Sequence, residues 1–172
     1  MTGVPDPNLP RTDHIAAFIE YLDFFRAEVR RKCTGLDDAT LITRVVPSAW
    51  TLPQLVEHLL HMERRWLVWG FLGEDVPHPT GDRDADGNWA TERPIDVLLD
   101  ALDEGGRRTT SIIQTHELAD LASVGGKFAD GDSLPTLLSL LMHVSQEYSR
   151  HLGHLDVARE LIDGFAGDGP PR

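Results

Sequence analysis

Thiols are almost absent from this chain. Cys33 is the only cysteine among 172 residues, which excludes an intramolecular disulfide and fits a reducing compartment. No apolar run approaches the ~20 residues that a membrane span needs. The Pro-rich start, Met1-Thr-Gly-Val-Pro-Asp-Pro, lacks the apolar segment of a signal peptide. Both features place the expected protein in the cytoplasm with no membrane partner. Basic charge is also short: 16 Lys and Arg stand against 28 Asp and Glu, for a formal net charge of -12. Phosphate contacts need clustered Lys and Arg, so a nucleic-acid partner is not expected, nor docking on anionic lipid. No Gly-x-Ser-x-Gly elbow is present, and the glycine-rich stretches match neither a phosphate loop nor a dinucleotide fingerprint.

What is present is helical periodicity. The first segment runs from about Asp13 to Lys32 with an apolar stripe of Ile15, Phe18, Ile19, Leu22, Phe25 and Val29. Thr12 or Asp13 suits its N-cap and Gly35 its end. A short turn from Asp37 to Thr43 follows. The second long helix begins at Thr51, with Pro53 in its first turn, and runs to about Leu72. Glu74 to Arg93 is rich in Asp, Gly and Pro, with one aromatic, Trp89; it reads as a long loop of the kind that often carries function. The third helix spans Pro94 to about Leu118, where Gly105-Gly106 predicts a kink or a close approach. Ser133 is the expected cap of the fourth, with Pro135 in its first turn, and that helix reaches about Ile162. Four such helices in one chain predict an all-α four-helix bundle. Residues 1–172 are expected to form a single domain with flexible ends at about 1–11 and 165–172.

Chemistry concentrates in Glu147-Tyr148-Ser149-Arg150-His151-Leu152-Gly153-His154. Residues four apart share a helix face, so the Glu147 carboxylate and the His151 imidazole converge. They can form half of a divalent metal site, or Glu147 can face solvent and pair with Arg150 or His151. A carboxylate among Leu140, Leu141, Val144, Leu152 and Leu155 is costly unless it is paired or coordinates a metal. The other half of a site must come from another helix, where His58 and His61 are candidates. His143 and His154 extend the ladder of possible ligands. One carboxylate and two imidazoles suit Zn²⁺ first, with Ni²⁺, Mn²⁺ and Fe²⁺ as alternatives. Three protein ligands leave a position open, the mark of a catalytic site, where a thiol or a water can be activated. Cys33, at a helix C-terminus, is in the wrong field to be a nucleophile. Arg65 is placed to meet an anionic substrate and Trp50 to line the pocket mouth. Arg150, Tyr148 and His154 are candidates to touch substrate or to support the ligands.

The pattern Thr51-Leu52, Leu55-Val56-Glu57-His58-Leu59, Glu63-Arg64-Arg65-Trp66, then Leu140-Leu141-Met142-His143 and Glu147 through Asp156, resembles the DinB-like metalloprotein superfamily. More narrowly it resembles the DUF664 branch, related to mycothiol-dependent transferases, and the likeness extends from the first helix to Gly164. The resemblance implies an up-down-down-up bundle, a central divalent metal, and often a homodimer. It favours His58 over His61 and gives the ligand set His58, Glu147 and His151. Glu147 stands where many relatives have a third histidine. It further implies an S-transferase that activates a low-molecular-weight thiol such as mycothiol for attack on an electrophilic small molecule. A metal-dependent hydrolase and a non-catalytic binding bundle are the alternatives.

Overall fold

The structure, a computed structural model, describes residues 4–166. Among them the chain is all-α, and strand pairing is limited to isolated bridges. The elements are α1 (His14–Cys33), α2 (Asp38–Leu41), α3 (Leu52–Arg64) continued by a π-wound segment (Arg65–Phe71), α4 (Ile95–Thr115) and α5 (Leu137–Asp163). No helix is long and apolar enough to cross a membrane among the described residues.

Local chemistry sets the boundaries. The Asp13 carboxylate accepts from Ala16 N–H at 3.0 Å and starts α1. The Gln54 side chain accepts from Thr51 N–H at 2.9 Å and starts α3. Three expectations need correction. The second long helix is not α-wound to its end: Leu72 N–H reaches Leu67 O, five residues back, at 3.2 Å. The fourth does not begin at Ser133. Pro135 O accepts from Ala122 N–H, while Leu137 and Leu138 N–H donate to Asp120 O and Leu118 O. The residues before Thr136 are thus held extended against 118–122, and Thr136 caps the helix instead. The same pairing stops α4 at Thr115, before Leu118.

The long helices pack in a ring, α1 on α4 and α5, and α3 on α4 and α5. Arg30 reaches Asp100 and Asp103 while Arg26 lies against Gly106, so α1 and α4 run in opposite directions. Phe25 stacks on Tyr148 and Arg159 bonds Lys32 O, so α1 and α5 run together. His58 faces His151 and Trp66 faces His143, so α3 and its π extension oppose α5. Leu22, Val29, Leu55, Leu59, Leu102, Leu141 and Leu155 fill the space between, each contributing about 1.5–3 kcal/mol by leaving water. Of the ends expected to be flexible, residues 1–3 and 167–172 lie outside the described residues. Within them Arg11 pairs with Glu20, and the Phe165 ring sits under Arg31 and Arg159.

A polar knot crosses this apolar core. Glu63 of α3 accepts from Arg26 of α1 at 2.6 and 3.2 Å, from Thr109 of α4 and from the Tyr148 hydroxyl of α5. All four residues are buried. Burial works against the Arg26 charge, but Glu63 outweighs it and raises the guanidinium pKa. Burial first, and then the Glu63 charge, push the Tyr148 hydroxyl well above its ordinary pKa and keep its proton in place. Gly106 is what admits Arg26: a Cβ there would lie 2.7 Å from Arg26 Nε. A Cβ on Gly105 meets only Leu60, at 3.6 Å. The expected close approach is thus real, it belongs to Gly106, and α4 continues through it.

The two glycines should therefore answer oppositely to substitution. Gly105→Ala should stabilise by up to about 1 kcal/mol through helix propensity. Gly106→Ala should destabilise by about 1–3 kcal/mol, because overpacking displaces Arg26 from Glu63. Urea midpoints of the two variants test this, and equal shifts in one direction would refute the role of Gly106.

Candidate metal centre

Asp82 orders the first donor. His58 projects from α3 amid buried Leu55, Leu59 and Met62. Its Nδ1 lies 2.9 Å from Asp82 Oδ2, and Asp82 Oδ1 accepts from Arg65 Nη2 at 2.6 Å. Asp82 is 0% exposed. Burial alone would raise its pKa, but the His58 hydrogen bond and the Arg65 charge outweigh it and hold the carboxyl below its ordinary value. An ionised carboxylate can only accept, so His58 carries its hydrogen on Nδ1 and turns Nε2 toward the cavity.

The other donors come from α5. His151 Nε2 lies 3.1 Å from Glu147 Oε2, and His58 Nε2 lies 3.8 Å from the same oxygen. One ligand atom from each of His58, Glu147 and His151 falls within 4.8 Å of the others. Burial, and then the nearness of His58, push His151 down to about 4 against the pull of Glu147. The ring is therefore neutral at pH 7, as a metal-ligating imidazole must be. His151 Nδ1 lies 3.3 Å from His154 Nδ1, so this ring too is engaged on its far side. Two imidazole nitrogens held toward one carboxylate oxygen form a donor set that fits a divalent cation.

These donors sit in the wall of a cavity of about 770 Å³. Trp50, Arg65, Arg150 and His154 line it. Tyr148 does not: it is 0% exposed and belongs to the Glu63 knot. His61 is also elsewhere, with Nε2 3.1 Å from Glu57 and Nδ1 3.2 Å from Arg64. His143 stays at the edge, 3.8 Å from Glu147 Oε1, with its ring against Trp66. Arg65 reaches the lining, but Asp82 and Pro79 O take its hydrogens.

Two important residues escape sequence reasoning. Asp82 is one of several aspartates in an acidic loop, and nothing in the string distinguishes it from Asp75, Asp84 or Asp86. Trp89 is visible only as a lone aromatic, yet it stacks on His58 at 4.3 Å and meets His151 edge-on at 5.2 Å. A tight turn brings them together: Asp84 accepts from the N–H groups of Asp86 and Asn88, and Gly87 takes φ +83°. Ala90 N–H then returns to Asp82 O at 3.0 Å.

Comparison with known families finds that the family model described as mycothiol-S-transferase matches residues 17–164. That span contains the three donors, Asp82 and the Glu63 knot. Comparison with curated proteins finds no match.

The chain's own thiol stands apart from this chemistry. Cys33 is buried at the end of α1, and burial pushes its pKa up to about 12 despite nearby Arg159 and Lys32. A disulfide reagent at pH 8 should leave the native protein unmodified while the denatured chain releases stoichiometric thiol. Rapid stoichiometric labelling of the native protein would restore Cys33 as a nucleophile.

Proposed function

This chain belongs to the mycothiol-S-transferase family, within the DinB-like superfamily, and from that premise we propose that it is a divalent-metal-dependent S-transferase. It joins the sulfur of a low-molecular-weight thiol, mycothiol, to an electrophilic small molecule. The observation that carries this reading is the approach of His58 Nε2 and His151 Nε2 to one Glu147 oxygen in the wall of a cavity. The helix directions described above support the up-down-down-up four-helix bundle, which sets α3 against α5 and so makes the approach possible.

His58, Glu147 and His151 are the proposed ligands. Two nitrogens and a carboxylate oxygen support Zn²⁺, with Ni²⁺, Mn²⁺ or Fe²⁺ as alternatives. A cation bound there supplies Lewis-acid chemistry that lowers the pKa of a thiol into the neutral range. The chain's residues do the rest. Asp82 holds the proton on His58 Nδ1 and fixes the ring plane, and Trp89 covers one face of that ring against water. Glu147 adds the negative charge that favours a cation. Cys33 takes no part, so the reacting sulfur comes from the cosubstrate. Overall a C–S bond forms, the leaving group departs with its electron pair, and the thiol proton passes to solvent.

Elemental analysis of the purified protein should find about one equivalent of a transition metal, and none in a folded Glu147→Ala, His151→Ala variant. Turnover of a fluorogenic electrophile should then require both metal and thiol. Turnover that survives removal of the metal would sink the proposal, and turnover without thiol would indicate a hydrolase.

Asp82→Asn removes the obligate acceptor while keeping the shape. It should weaken metal affinity by about 10–100-fold, the usual effect of losing a partner behind a ligating histidine. Competition with a chromogenic chelator measures this, and an unchanged affinity would confine Asp82 to holding the loop.

A further inference from the structure

Cationic side chains in this acidic chain are nearly all engaged. Arg11, Arg26, Arg30, Arg31, Arg93, Arg107, Arg108 and Arg159 each donate to carboxylates. Arg64 and Arg83 donate to backbone carbonyls, and Arg65 is taken by Asp82. Lys127 lies over the Trp66 and Trp69 rings, and among the arginines of the described residues the exceptions are Arg44 and Arg150, which have no hydrogen bond or ion pair there. Both line the cavity that holds the three donors. They come from unrelated parts of the fold, the loop after α2 and the middle of α5.

Surface guanidinium groups in a chain of net charge -12 have many carboxylates to meet, so two that remain open around one concavity call for a cause. The carboxylates that share the lining do not neutralise them. Asp84 is turned to the N–H groups of Asp86 and Asn88, and Glu147 is turned to the imidazoles. Concave walls concentrate the field of these cations on the space between them. A guanidinium fork matches the two oxygens of a carboxylate or phosphate and has no role as a metal ligand.

We propose that Arg44 and Arg150 bind an oxyanion of the electrophilic cosubstrate, making this a site for an acidic electrophile. The inference rests on the transferase reading for its chemistry and deepens it: the arginines hold the charged end of the molecule whose carbon accepts the sulfur. The oxyanion itself does not react. The C–S bond forms at a separate carbon, the leaving group takes the bonding pair, and the thiol proton goes to solvent. Arg65, the sequence-based candidate for this role, also lines the cavity, but its Nε and Nη2 donate to Pro79 O and Asp82.

Calorimetric titration tests the site without turnover. Succinate, inorganic phosphate and the neutral isostere succinamide are titrated into wild type and into an Arg44→Gln, Arg150→Gln variant of verified metal content and melting temperature. Both side chains are exposed and unpaired, so the variant should fold as wild type does. Succinate or phosphate should bind and succinamide should not; which anion binds more tightly distinguishes a carboxylate from a phosphate ligand. Affinity should fall about ten-fold for each arginine removed and about a hundred-fold for both. Equal binding of succinate and succinamide, no anion binding, or wild-type affinity in the double variant would each overturn the proposal. Arginine-dependent anion binding in a protein with no thiol-dependent turnover would instead refute the transferase reading and leave the anion site standing.

Discussion

One carboxylate, that of Glu63, ties together all four long helices. Arg26, Thr109 and Tyr148 reach it from α1, α4 and α5. Taking these groups out of water is costly, and the knot holds only while every member is present. Removing one partner of such a buried pair costs about 3–5 kcal/mol, because the other charge is left uncompensated. The knot also sets rotation. With about 100° per residue along a helix, fixing Tyr148 toward Glu63 brings Glu147 and His151 onto one neighbouring side of α5. That side meets the face of α3 that carries His58. A group with no place in the cavity thus aims the groups that have one.

The loop between α3 and α4 is built on a polar face of α3. Arg64 and Arg65 donate to the carbonyls of Pro77, His78 and Pro79, and Glu57 accepts from Thr91 and Arg93. These anchors hold both ends of a long excursion, so Asp82 can be buried behind His58 and Trp89 laid over it. The lengthening itself is cheap, since closure entropy rises only slowly with loop length. The result is an imidazole fixed in tautomer and plane before anything binds, a preorganisation that a mobile surface histidine lacks.

Charge is distributed with the same economy. A net charge of -12 would repel an acidic ligand from most of the surface. Around the cavity the balance shifts: Asp82 absorbs Arg65, while Arg44 and Arg150 stay open. Local arrangement, not composition, sets the field that a small molecule meets there.

Much of this protein was legible in the sequence for physical reasons that are local. Apolar residues at helical spacing identify four long helices, and Asp13, Thr51 and Pro53 mark where two of them begin. Spacing by four puts Glu147 and His151 on one face whatever the rest of the chain does. Local rules could not choose between His58 and His61, because both lie on the same helix one turn apart; packing against α5 is what brings His58, and not His61, to Glu147 and His151. Nor could they find the late start of α5, since Thr136 caps it only once 118–122 has paired with the preceding residues. Asp82 and Tyr148 have partners, His58 and Glu63, that stand opposite them and are distant along the chain. Side-chain spacing along a helix is written into the string, whereas the partner across a cavity exists only after the long-range contacts have formed.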